Sequence, residues 1–306
     1  MIWMGCERMY RLVGIWLFEL LWCLSDMILR PRKLACDKAF AAEASGGKFD
    51  IAAYYVTKKY KFYLQSEFGY KLSCELLEPE NFASSKDRKV AILCHGFGCS
   101  RYSSLKYAQI FLRLGIPTLI YDHRNHGYSG KAHTTMGFKE KYDLTRIVDW
   151  CIKKYGTECK IITHGESMGA ATVLLHLGID PRVDLTIADC AYSDLVHLLR
   201  HQLKQYYHLP SFLIPIESCL TFFRAGFWYK EVSPIRVVSR IDTPILFIHG
   251  KCDNFVPTYM SKLMYYVKKD KKALYLVAKA KHAESICKNR KGYETVIEEF
   301  IGKVLG

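Results

Sequence analysis

Three residues carry most of the chemistry that this chain offers: Ser167, Asp253 and His282, in that order. Serine is a weak nucleophile near neutral pH. It needs a base to take its proton, and the base needs an acid to orient it. Ser167 lies in Gly165-Glu166-Ser167-Met168-Gly169, between the apolar, β-branched run Cys159–His164 and the buried-helix pattern Ala170–Leu177. A Gly-x-Ser-x-Gly between a strand and a helix is a nucleophile elbow, a sharp turn that lifts the hydroxyl above the sheet edge. Glycine is needed on both sides because a side chain there would meet the neighbouring strand and helix. The turn also sets the Met168 N–H at a helix start, where it can bind an oxyanion. Asp253 follows His249-Gly250 at the end of a predicted strand, and His282 follows the last one. Asp189 and Asp194, after the preceding strand, are alternative acids, although Asp194 also suits the N-cap of the next helix.

These residues must be placed by alternating strands and helices. A hairpin is expected over 58–65 and 70–77, and a charged loop over 81–88. Strands are then expected over 89–94, 117–121, 159–164, 183–188, 244–248 and 273–277. Helices are expected over 102–114, 139–155, 258–267 and 293–304, besides the elbow helix. The pattern implies a mostly parallel central sheet with helices on both faces. About fifty residues separate the 183–188 strand from the 244–248 strand, far more than a usual connection. Their aromatics, Tyr206, Tyr207, Phe212, Phe222, Phe223, Phe227, Trp228 and Tyr229, mark residues 192–240 as a helical cap over an apolar acyl pocket.

With these motifs together, the chain resembles the α/β-hydrolase-fold serine hydrolases, in particular bacterial esterase-like members distantly related to prolyl oligopeptidases. The resemblance rests on His95-Gly96-Phe97-Gly98, Asp122-His123-Arg124-Asn125-His126-Gly127, the elbow, the run His249–Pro257, and His282. It implies a Ser167–His282–Asp253 triad and a second oxyanion N–H on Phe97. It also implies an acyl-enzyme that cleaves carboxylic esters without cofactor or metal. Asn125 departs from the family, where many members have glycine. A peptidase or an acyltransferase would use the same residues. A non-catalytic binding protein on the same fold is the alternative from another class.

The chain has 306 residues, half of them hydrophobic, which suits one large α/β domain. The net charge of +14 is scattered, with no nucleic-acid-binding motif, so nucleic acid is not expected as a partner. Twelve cysteines without Cys-x-x-Cys or metal-ligand spacing point to a reducing compartment. The expected layout is an apolar helix over 1–34, a linker with a short helix over 35–57, and a catalytic domain over 58–306. Residues 10–29 are apolar enough for a membrane anchor or an interfacial helix, despite Glu19 and Asp26, with a helix packed on the domain as the alternative. The basic residues Arg30, Arg32 and Lys33 follow this run. They would keep the catalytic domain on the cytoplasmic side of a membrane surface contacted by residues 10–33. A soluble cytoplasmic protein is the other localisation. The expected substrate is a small or lipid-like acyl ester.

Overall fold

The computed structural model describes residues 2–33, 35–80 and 88–306, with side chains from Trp16 onward. The charged loop expected over 81–88 lies outside the described residues except for Arg88.

Eight strands form one sheet: β1 (Lys58–Gln65), β2 (Lys71–Glu78), β3 (Lys89–Cys94), β4 (Thr118–Tyr121), β5 (Lys160–Glu166), β6 (Val183–Asp189), β7 (Ile245–Gly250) and β8 (Lys272–Val277). Their order is β1-β2-β4-β3-β5-β6-β7-β8. The strands from β3 onward are parallel, while β2 pairs antiparallel with β1 and with β4. Composition explains the placement. Val90-Ala91-Ile92-Leu93-Cys94 is continuously apolar and fully buried, as a strand covered on both faces must be. At the open edge, β1 carries Lys58, Lys59 and Lys61, charges that discourage pairing with another chain.

The helices in chain order are α1 (Ile2–Leu29), α2 (Cys36–Ser45), α3 (Ile51–Val56), α4 (Leu105–Arg113), α5 (Glu140–Tyr155) and α6 (Met168–His176). They continue as α7 (Leu195–Tyr207), α8 (Leu213–Ala225), α9 (Pro234–Val238), α10 (Tyr259–Val267), α11 (Ser285–Lys288) and α12 (Arg290–Leu305). One sheet face is covered by α5, α6, α9 and α10 through residues such as Leu144, Val148, Val173, Val238 and Met264. The other is covered by α3, α4 and α12 through Tyr54, Phe111, Tyr293 and Ile297. A third apolar cluster joins α1, α7 and α8 above the elbow helix.

Two expectations need correction. The stretch 35–47 is not a linker: α2 occupies most of it, because Ala39, Ala41, Ala42 and Ala44 favour a helix and Cys36 and Phe40 dock on the body. The second concerns the N-terminal helix. Among the described residues no helix is long and apolar enough to cross one. Instead the C-terminal half of α1 packs on the cap. Leu21, Ser25 and Leu29 recur at four-residue spacing and are buried, flanked by the half-buried Leu20, Leu24 and Ile28. Asp26, a defect in a membrane helix, is paired here with Arg224 of α8, whose guanidinium also stacks 3.9 Å from the Trp22 ring. The helix end is tied to the body as well. Thr134 N–H donates to the Leu29 carbonyl at 3.0 Å, and Asn125 Nδ2 donates to the same oxygen at 3.3 Å. Lys33 bonds Asn125 in turn. Asn125 has φ 59°, the left-handed region where asparagine is tolerated. Asn125 thus serves to fasten α1.

This packing has a measurable consequence. Leu29→Ala is expected to lower the unfolding free energy by about 2–5 kcal/mol, as for a fully buried leucine. Trp16→Ala, on the exposed part of α1, is expected to change it by less than about 0.5 kcal/mol. Urea melts of the two variants check this; equal small effects would show that α1 is not part of the folded body.

Candidate active site

In a parallel sheet every strand delivers its C-terminal loop to the same edge. Here β3 leads into His95–Gly98, β5 into Ser167, β6 into Asp189 and Cys190, β7 into Asp253, and β8 into the loop of His282. Five loops distant in sequence converge in this way.

Ser167 is the only residue between β5 and α6, with φ 56° and ψ −114°. Such a conformation costs a non-glycine residue on the order of 1–3 kcal/mol. It is held by a hydrogen bond from the Ser167 N–H to the Asp189 carbonyl at 2.9 Å. The flanking glycines explain themselves. A Cβ on Gly165 would lie 2.3 Å from the Gly169 carbonyl, and one on Gly169 would lie 2.1 Å from the Cys94 carbonyl oxygen. Ser167 itself is 8% exposed, at the floor of a cavity.

Ser167 Oγ lies 2.9 Å from His282 Nε2, and His282 Nδ1 lies 2.7 Å from Asp253 Oδ2. Asp253 is fixed in its turn. Its Oδ1 accepts from the N–H groups of Phe255 and Val256, each at 2.9 Å, and its Oδ2 lies 3.1 Å from His249 Nε2. Burial alone would raise the Asp253 pKa, but the hydrogen bonds from His249 and His282 outweigh it and hold the carboxyl at about 2. Asp253 is therefore a carboxylate near neutral pH. The alternative acids are occupied elsewhere: Asp194 caps α7 through Val196 and His197, and Asp189 bonds Tyr293 and Tyr107 beneath the elbow. Of the cap histidines, His201 bonds the Asn254 carbonyl at 2.8 Å, and His208 ends α7 in the left-handed conformation.

Met168 opens α6, where the first N–H groups of a helix have no intrahelical acceptor. Phe97 lies in the loop after β3 and lines the same cavity as Ser167. That loop is braced by buried histidines. His95 Nε2 accepts from the His123 N–H at 3.0 Å, and His126 Nε2 accepts from the Gly98 N–H at 3.0 Å. Burial lowers the pKa of His95 to about 4 and of His126 to about 3, so both are neutral acceptors. His95 thus orders the loop.

Sequence reasoning assigned nothing to Glu166, and Lys106 went unnoticed. The structure places Lys106 Nζ 2.6 Å and Tyr107 Oη 2.5 Å from Glu166 Oε2, all buried directly beneath the elbow. Burial would raise the Glu166 pKa, but the Lys106 charge and the hydrogen bonds from Lys106 and Tyr107 together lower it. Asp189, next to this pair, is raised to about 6 by burial and by the Glu166 charge. The signal was weak: a lysine in an apolar helix pattern looks like a solvated side chain until its partner, sixty positions away, is placed. His249 was visible as the start of the loop motif, but its support of Asp253 was not.

Cys190 with Asp253 and His282 offers three ligand-type atoms within 4.8 Å. Asp253 and His282 are already bonded to each other, and burial raises the Cys190 thiol far above its ordinary value, which disfavours the thiolate a metal needs.

Above Ser167 is a cavity of about 370 Å³ lined mainly by apolar side chains. Leu24, Met27 and Ile28 come from α1, Leu198, Leu199, Leu203, Tyr206 and Tyr207 from α7, and Leu213 and Ile214 from α8. Of the cap aromatics, Tyr206 and Tyr207 face the cavity. Phe227 and Tyr229 are buried in the cap, and Phe212 and Phe223 are exposed. That α1 forms a wall of the cavity was not legible in the sequence.

Residues 85–206 match a family model described as serine aminopeptidase. The uncharacterized protein YqkD of Bacillus subtilis is 36% identical over 280 residues, covering 90% of each chain. Among solved structures, the Pyrococcus furiosus esterase Pf2001 is 21% identical, covers 91% of this chain and 100% of its own, and superposes with a TM-score of 0.70. The Pyrococcus horikoshii acylaminoacyl peptidase is 16% identical, covers 81% of this chain and 42% of its own, with a TM-score of 0.61. Both structures share the fold.

The elbow geometry makes a direct check possible. Gly169→Ala is expected to destabilise the protein by about 1–3 kcal/mol or more, since its Cβ meets backbone that cannot move aside. Gly302→Ala, in α12 with open space around it, is expected to be neutral or stabilising by about 0.5–1 kcal/mol. Thermal melts of both variants test the contrast.

Proposed function

The chain belongs to the α/β-hydrolase-fold serine hydrolases, in one family with YqkD, and from that premise we propose that it cleaves carboxylic esters through an acyl-enzyme on Ser167. One observation carries this reading: the unbroken hydrogen-bonded line Asp253–His282–Ser167 at the floor of an apolar cavity. In the proposed reaction, a lone pair of Ser167 Oγ attacks the ester carbonyl carbon while its proton passes to His282 Nε2. The carbonyl π pair moves onto oxygen, where the N–H groups of Phe97 and Met168 receive the charge. Collapse restores the carbonyl and breaks the bond to the alkoxy oxygen, which leaves with the proton from His282. Water then repeats the sequence on the acyl-enzyme. Asp253 remains ionised throughout and holds His282 in the productive tautomer.

An esterase- or peptidase-type hydrolase is the coarser reading; the apolar cavity favours esters of hydrophobic acids over charged peptides. Ser167→Ala is expected to reduce hydrolysis of p-nitrophenyl esters by at least about 10⁴-fold and to abolish labelling by a fluorophosphonate. Asp253→Asn is expected to cost about 10⁴-fold. Asp194→Asn, which removes only a helix cap, is expected to cost far less. Undiminished labelling of the alanine variant, or p-nitroanilides cleaved faster than the matching esters, would overturn the respective part of the proposal.

The exposed aromatics of α1 and the cap supply a further element. Trp16 is 65% and Phe223 80% exposed, with Phe18, Trp22 and Phe212 also at the surface, and Arg30 and Arg32 follow α1. This supports an interfacial placement of residues 10–33 on an anionic membrane surface, with the catalytic domain on the cytoplasmic side. The protein is expected to cosediment with anionic phosphatidylglycerol vesicles at low salt. A variant with Trp16, Phe18 and Phe223 all changed to serine is expected to stay in the supernatant. Equal sedimentation of both would reject the aromatic contact.

A further inference from the structure

The segment that matches the family model, residues 85–206, contains Ser167, Phe97 and most of α7, whereas α1 lies outside it. Yet α1 supplies one side of the cavity above Ser167, through Leu24, Met27 and Ile28. Their spacing of three and four residues puts them on one face of the helix. The neighbouring stripe of Leu21, Ser25 and Leu29 is buried in packing instead. One helix thus divides its residues between two tasks. One stripe fastens it, and the next faces the space above the nucleophile. The wall is held in place by the pair of Asp26 with Arg224 and by the bonds of Thr134 and Asn125 to the Leu29 carbonyl. Packed interiors yield little to added volume, so a wall fixed in this way sets a limit on what fits.

The character of the occupant is constrained as well. Three polar groups of the wall are already used. Gln202 Nε2 donates to the Phe255 carbonyl at 3.3 Å, and Tyr192 Oη donates to the Met136 carbonyl at 2.7 Å. Glu217 is buried and accepts from Tyr229 Oη at 3.2 Å. Tyr206 and Tyr207 are half-exposed. What remains for an occupant is mainly hydrocarbon surface. It favours an aliphatic chain and gives a polar one nothing in exchange for its water. The volume of about 370 Å³ equals on the order of a dozen water-sized units of ~30 Å³ each, room for about eight to ten carbons.

We propose that α1 is the acyl-length selector: Leu24 and Ile28 close the cavity around a medium-length aliphatic acyl chain and reject longer ones. The proposal rests on the esterase reading above and names the substrate class for that site, esters of medium-chain fatty acids. Leu24 and Ile28 take no part in bond making. They decide which chain fits while Ser167 carries it. Each methylene that the cavity takes up is worth about fourfold in kcat/KM, and the gain ends where the chain meets α1.

The test is a series of p-nitrophenyl esters from acetate to palmitate. In the wild type, kcat/KM is expected to climb with acyl length to an optimum near the octanoate and decanoate and then to fall. Leu24→Ala removes part of the wall, and its optimum is expected to move up by roughly two carbons. The ratio of dodecanoate to octanoate is then expected to rise by about tenfold or more. Leu24→Phe fills the same space, and its optimum is expected to move down by a similar amount. Ile28→Ala serves as a second enlarging variant if Leu24→Ala does not fold. Leu21→Ala weakens the same helix from its packing stripe and is expected to leave the optimum in place. Alkyl acetates of matching lengths vary the alcohol instead, and the Leu24 variants are expected to leave that profile unchanged. A wild type without an optimum, an optimum unmoved by the Leu24 and Ile28 variants, an equal shift in Leu21→Ala, or a shift confined to the alkyl acetates overturns the proposal. Calorimetric binding of fatty-acid methyl esters to Ser167→Ala, with and without Leu24→Ala, reads the length preference without turnover. No turnover of any ester by the wild type, with a binding optimum that moves with Leu24, would overturn the esterase reading and leave α1 as the selector. Binding that ignores chain length would overturn the role of α1 itself.

Discussion

The backbone at Ser167 leaves no space on either side. A left-handed serine between a strand and a helix requires that the helix start almost touching the neighbouring strand, and the contacts at Gly165 and Gly169 show how close that approach is. Everything else at the site is arranged around this turn. The parallel sheet supplies rigid strand ends on both sides. The ion pair of Lys106 and Glu166 fills the space under it, where an unpaired charge would be costly and a cavity would let the turn relax. The loop after β3 is then pinned by His95 and His126, and its Phe97 lines the same cavity as Ser167. In the proposed reaction, preorganisation of this kind places the oxyanion donors before charge develops.

Much of this was legible in the sequence because it depends on local pattern. The strands β3 to β8 read as apolar runs followed by loops with Gly, His or Asp, and the elbow announces itself by two glycines and a flanking serine. The proposed catalytic residues sit in short motifs at strand ends, so Ser167, Asp253 and His282 could be picked out before their convergence was visible. What could not be read depends on contacts between distant segments. Glu166 and Lys106 look like two ordinary charged residues until β5 and α4 are packed together. Glu217 looks like the polar side of a helix until α1 covers it. The stretch 35–47 was mistaken for a linker because small and polar residues resemble one; its alanines equally favour a helix, and docking through Cys36 and Phe40 decided between the two.

The N-terminal helix shows the same limit in a sharper form. An apolar run with two tryptophans and a basic end has the composition of a membrane segment, and composition alone does not distinguish lipid from protein as the apolar partner. The difference lies in Asp26 and Ser25. Asp26 is a defect in a membrane helix, whereas a serine is tolerated in one; in the folded chain both face the cap, Asp26 toward Arg224 and Ser25 toward Glu217. Asp26, read as an interruption, was part of the pattern that matched the partner surface.

The pairing of α1 with α8 also has a consequence for how the protein is made. Asp26 and Arg224 are 198 positions apart, so α1 must wait on the ribosome for one of the later helices before its apolar stripe is covered. At about 5–20 residues per second, that interval is roughly 10–40 s. Throughout it Leu21 and Leu29 have no native surface to occupy. A nascent chain of this design is a natural client for a holding chaperone during its own synthesis, and the wait ends only when the cap emerges.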